Sequence, residues 1–114
     1  MNPAADRFLT EPLSLQLGAI AANLSRIRSF SDHPGHMKVI EGMLVETIGF
    51  VGFLLSQPQP NIAEELTDLR EWLLLQASDW GRISADADAV AVVATEAGAW
   101  SDRVLQRSGL LNAG

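Results

Sequence analysis

Cysteine and tyrosine are absent from this chain, and lysine occurs once, at position 38. Without a thiol there is no disulfide framework, no thiolate nucleophile and no Cys-ligated zinc site. The disulfide-stapled secreted class is therefore excluded, and a reducing compartment suits the composition. The opening residues, MNPAADRFLTEP, carry no apolar stretch behind a basic start, so no secretory signal is expected. A cytoplasmic protein is the simplest expectation.

Basic charge is also scarce. Eight Lys and Arg stand against 14 Asp and Glu, for a formal net charge of −6. Nucleic-acid binding draws much of its affinity from neutralised phosphates, so a chain without a basic run is not expected to bind nucleic acid. Arg26 and Arg28 lie two apart on a predicted helix and do not share a face.

A long apolar run is missing too. The most apolar stretch is MLVETIGFVGFLL, and its unbroken part, Ile48 to Leu55, is eight residues long. A membrane-spanning helix needs about 20, and Glu41 and Glu46 lie just upstream, where charge is expensive in a bilayer. No membrane span is expected. Strand signals are weak, since strict alternation and Asn-Gly or Asp-Gly hairpins do not occur. There is no GxSxG, GxxxxGK[ST] or GxGxxG setting. Neither histidine follows a glutamate by three, which excludes a di-iron carboxylate bundle.

What is present is helical periodicity, in a chain of 114 residues whose apolar share is 47%. That length fits a single domain, 1–114. Leu13, Leu17, Ile20, Leu24 and Ile27 form the i, i+4, i+7 stripe of an amphipathic helix over about 12–31, with Thr10 as cap and Pro12 in its first turn. Ser31 or Asp32 caps a second helix over about 34–56, opened by Pro34 and striped by Ile40, Leu44, Thr47, Val51 and Leu54. Pro58 and Pro60 stop it. A third, about 61–83, starts from an Asn61–Glu64 capping pair and runs through Ile62, Leu66, Leu69, Leu73, Gln76, Trp80 and Ile83. Ser84 or Asp86 caps the fourth, about 86–108, which turns Val90, Val93, Ala97, Trp100, Val104 and Leu111 inward and stops near Gly109. The expected fold is all-α, an up-down-up-down antiparallel four-helix bundle. A helical hairpin pair completed by dimerisation is its rival.

Candidate sites are few. Gly42, Val45, Gly49 and Gly52 recur at a 3-4-3 spacing on the second helix and, with Phe53 beside them, form a smooth strip. Each interior glycine costs up to about 1 kcal/mol relative to alanine. Three of them point to close backbone approach, by a helix of this chain or by a second chain, in which case a homodimer. His33 and His36 beside Asp32 could begin a metal site, but Val39 and Ile40 occupy the next turn and no third ligand follows, so no metal or cofactor is expected. Glu64, Glu65, Asp68, Glu71 and Asp79 read as a solvated acidic face. Glu41 and Glu46, five apart, do not pair with each other; one is expected to meet Arg26 or Arg28. Trp80 and Trp100 read as core. Trp72 is a candidate binding anchor, and Gln76, interrupting the third stripe, could contact a partner or a small ligand.

The functional expectation is a non-enzymatic helical protein–protein interaction module, a small adaptor, assembly factor or subunit of a cytoplasmic complex. The alternative is a small-ligand-binding helical bundle with a pocket near Gln76, Trp72 and the glycine strip. The first test concerns fold: far-UV circular dichroism should show a helix-dominated spectrum, and a sheet-dominated one would refute every placement above.

Overall fold

A computed structural model of the chain describes residues 11–57 and 62–108. Among them there is no strand. The elements are α1 (Leu13–Phe30), a 3₁₀ turn (Pro34–His36), α2 (Met37–Leu55), α3 (Ala63–Ser78), a short α4 (Trp80–Ile83) and α5 (Ala87–Ser108). The four long helices match the four periodic segments. Their ends do not all fall where the residues suggested.

Pro12 stands outside α1 at its N-cap, its carbonyl accepting the N–H groups of Leu15 and Gln16 at 3.0 Å each. Thr10, the expected cap, lies outside the described residues. The second helix does not open at Pro34. His33 is extended (φ −119°, ψ 117°), as a residue before proline is driven to be. One 3₁₀ turn follows, and neither it nor α2 has a side-chain cap bond. Asn61 also lies outside the described residues, and α3 begins after Ile62, with Glu64 and Glu65 favourably placed in its first turn.

The predicted helix over 61–83 is in fact two. Asp79 leaves helical geometry (φ −110°, ψ 11°), and its carboxylate accepts the Arg82 guanidinium, Nε at 2.8 Å and Nη2 as well. A short acidic side chain that bonds locally competes with helix continuation, and Gly81 next to it adds little helix propensity. Beyond the break Trp80 is buried, its indole N–H donating to the Met37 carbonyl at 2.8 Å. Of the two expected caps for α5, Asp86 serves: its Oδ1 accepts the N–H of Asp88 at 2.9 Å and of Ala89 at 3.4 Å. Gly109 and Leu111 lie outside the described residues.

The stripes converge on one apolar cluster. Leu17, Ile20, Leu24 and Ile27 from α1 meet Ile40, Leu44, Val51 and Leu54 from α2, Leu66, Leu69 and Leu73 from α3, and Val90, Val93, Ala97 and Val104 from α5. Trp100 does not join the fully buried set: it is half-buried and packs against the cluster.

α1 and α5 run in opposite directions. Ser101 Oγ donates to the Ala21 carbonyl at 2.9 Å, while Arg28, further along α1, lies against Gly98, further back along α5. The start of α4, just past the end of α3, meets the start of α2 through Trp80. Across α3 and α5, Trp72 meets Glu96 and Glu65 meets Arg103 and Arg107. Packing is most extensive between α1 and α5, then between α2 and α3. Contact between α3 and α5 is made mainly by long side chains.

Leu24 is fully buried. Replacing it by alanine removes transfer energy and leaves a cavity, an expected loss of about 2–5 kcal/mol. A denaturant melt showing less than about 1 kcal/mol would mean that the site collapses or is not core.

Candidate functional site

Three regions carry the functional side chains. The first is the outer face of α2. Gly42 and Gly49 are exposed, Val45 is 60% and Val39 46% exposed, and Gly52 and Phe53 are half-buried at the edge. A Cβ built on Gly42, Gly49 or Gly52 would meet nothing within 4 Å. The expected close approach by a helix of the same chain is therefore corrected, because no described part of this chain covers the strip. From Thr47 to Leu55 α2 carries no charged residue.

On the shoulder of that face, Glu46 is half-buried and accepts the Asn23 amide at 3.0 Å. The same amide nitrogen lies 3.2 Å from Thr47 Oγ1, and Asn23 Oδ1 accepts Arg26 Nη1 at 3.0 Å. The arginine expected near a glutamate thus reaches it through Asn23. Asn23 and Thr47 are buried, and their bonds tie α1 to α2 at a set register.

The second region is the seam between α3 and α5. Glu65 Oε1 lies 3.0 Å from Arg107 Nε, and its Oε2 4.0 Å from Arg103 Nη2. The Arg103 guanidinium also lies over the Trp100 ring, 4.1 Å from its centroid, a cation–π arrangement. Trp72 is half-buried and donates to Glu96 Oε1 at 3.1 Å. Its N–H is thus engaged within the chain, and Gln76, a turn further on, is half-buried. The acidic face is accordingly divided. Glu64, Asp68 and Glu71 are exposed, but Glu65 and Asp79 hold arginines. The Arg103–Arg107 pair was missed, although its i, i+4 spacing was the signal: the two share a face of α5.

The third region was not expected at all. A cleft of about 1160 Å³ runs between the C-terminal half of α1 and the stretch of α5 from Ala87 to Asp102. Small residues, among them Ala87, Ala91, Ala94 and Gly98, floor it. Arg28 lies across Gly98: a Cβ there would come within 2.9 Å of Arg28 Cδ and 3.3 Å of Nη1. Asp32 and Asp102 also line the cleft. The residues are far apart in sequence and individually unremarkable, so no motif announces them.

In the turn between α1 and α2 His33 and His36 pack edge-on, ring centroids 5.2 Å apart, with the Phe30 ring 5.0 Å from that of His36. Among the described residues no group of three or more metal-ligating side chains gathers, and no helix is long and apolar enough to cross a membrane. Comparison with protein-family models, curated proteins and solved structures finds no match for this chain.

One electrostatic signature is open to direct measurement. The hydrogen bond from Arg82 holds the Asp79 carboxyl below the usual aspartate range, against an opposing desolvation and with a further contribution from the Arg82 charge. A depressed folded pKa means that the pair's contribution is present at neutral pH, above the unfolded value, and is lost as pH falls through the folded value. Carbon-detected NMR titration should find Asp79 protonating at more acid pH in the native chain than in Arg82→Gln, where it should return toward the ordinary value. Coincident titrations would remove the pair from solution.

Proposed function

We propose that this chain is a non-enzymatic protein–protein interaction module, a four-helix bundle of up-down-up-down antiparallel order that self-associates through the outer face of α2. The observation that carries the reading is the open strip of Gly42, Val45, Gly49 and Gly52. Each glycine lowers helix stability by up to about 1 kcal/mol relative to alanine, and no contact within the described chain offsets that loss. A second backbone brought close would offset it, because glycine lets helices approach without side chains between them. Exposed Val39 and Val45 and half-buried Phe53 supply apolar area beside the strip, and the uncharged run from Thr47 to Leu55 imposes no charge burial on a partner.

A second copy is the occupant because the strip meets its own equivalent without like-charge opposition along most of its length, as an isologous two-fold contact requires. Setting and role follow the same reading: a cytoplasmic adaptor, assembly factor or subunit. The small-ligand alternative placed its pocket at Trp72, Gln76 and the glycine strip. Neither Trp72 nor Gln76 lines the cleft between α1 and α5, and no observation favours that alternative over the first.

Gly49→Leu separates the possibilities. In a chain whose strip stays bare, leucine should stabilise the helix by nearly 1 kcal/mol. In a close-packed dimer it should cost about 1–3 kcal/mol by overpacking. The expected outcome is wild type sedimenting as a dimer, the variant as a 12.3 kDa monomer, with stability that no longer rises with protein concentration. A monomeric wild type at all concentrations, or a variant of unchanged dimer mass, refutes the reading.

A further inference from the structure

The cleft between α1 and α5 lies on a different pair of helices from α2. Measured along α5 from Ala87 to Asp102, it is about 22 Å long at 1.5 Å per residue. Its volume, about 1160 Å³, is above the roughly 300–1,000 Å³ of most small-molecule pockets. Its floor is alanine and glycine at spacings of four and three, which lets another backbone come close.

The charges along it are ordered. Arg28 lies against Gly98. Asp102 is four residues beyond Gly98 on α5, and Asp32 is four residues beyond Arg28, in the turn that follows α1. Because α1 and α5 run antiparallel, these two steps lead in opposite directions, so the groove reads acidic, basic, acidic. The helical step from Gly98 to Asp102 advances about 6 Å. Among the described residues the Arg28 guanidinium has no ion-pair partner, and Asp32, in the turn beyond the end of α1, does not pair with it. The guanidinium is instead seated over a glycine whose Cβ would strike it.

We propose that this groove docks one helix of a partner protein, carrying basic, acidic and basic side chains in that order along a face otherwise made of small residues. The acidic residue of that helix takes the planar fork of Arg28, which suits a carboxylate. Its basic residues take Asp32 and Asp102, and its small residues lie on Ala87, Ala91 and Ala94. A helix is the fitting occupant because the groove follows α5 for about four turns over a floor of small residues, along which a second helix can lie. The proposal does not rest on the α2 face: a monomeric chain has the same groove.

The probe is a fluorescein-labelled, side-chain-stapled alanine-rich helix of about 15 residues, long enough to span the groove, with the pattern Lys-x-x-x-Glu-x-x-x-Lys. Its control has every sign reversed. Titrated against the full chain at low salt, the first peptide should bind saturably and about tenfold tighter than the control, as a few partly desolvated ion pairs allow. Amide shifts should concentrate at Ala91, Gly98 and Arg28. The variant Arg28→Glu, Asp32→Lys, Asp102→Lys alters only exposed positions and should invert the preference, circular dichroism confirming its fold. Absence of saturable binding, equal affinity for both peptides, or shifts mapping elsewhere would overturn the proposal. So would free lysine or glutamate producing the same shifts at Gly98, which would make the occupant a small zwitterion. Self-association of the wild type that Arg28→Glu abolishes would make it a second copy, and would likewise overturn the partner helix.

Discussion

The close approach of α1 and α5 is the constraint on which the rest of the structure depends. These are the first and last described helices, and the residues that touch are 80 apart in sequence, as in the bond from Ser101 Oγ to the Ala21 carbonyl. Loop closure over that distance is entropically unfavourable, so the contact must bury much to persist. It does so with small side chains. Ala21, Ala97, Gly98 and Ser101 are all buried there, and small residues let two backbones approach while larger ones from both helices fill the core behind. The hairpin of α2 and α3 then packs onto α1 and is tied to α5 by longer reaches, the indole of Trp72 and the carboxylate of Glu65.

The same small residues that bring α1 and α5 together also leave their outer junction hollow. A helix studded with alanine on its flank cannot fill the valley beside it, and the C-terminal half of α1 contributes mainly serines and one arginine there. The groove is thus a by-product of close packing. Gly98 is where the two effects meet: absence of a Cβ allows both the helix contact and the seating of Arg28.

The helical glycines consequently divide into two kinds. Gly98 is buried and its missing side chain is replaced by another residue's, so its low helix propensity is offset within the chain. Gly42 and Gly49 face open space, where the same low propensity has no internal compensation. Polar groups show a parallel division. Asn23, Thr47 and Ser101 are buried and bonded across helices, where an unmade bond would be costly. Asp79 and Arg82 are exposed, and their pair shapes a local break without tying distant elements together.

By itself the sequence determined the helical class, the four long segments and nearly all of the core, because burial on one side of a helix writes itself as a 3.6-residue period. Leu17 to Ile27, Ile40 to Leu54 and Ile62 to Leu73 were legible for that reason. Caps were legible where a side chain acts within a turn, as at Asp86, and illegible where an interruption is decided by distant burial, as at Asp79 and Trp80. The tertiary structure alone decided which helices touch. Periodicity says that a face is apolar but not what covers it, so the glycines of α2 looked packed and are open, and Trp100 looked central and is half-buried. It also decided the site: Arg28 and Asp32 come from α1 and the turn after it, Gly98 and Asp102 from α5, with the whole of α2 and α3 between, and only the antiparallel register brings the three charges to one groove.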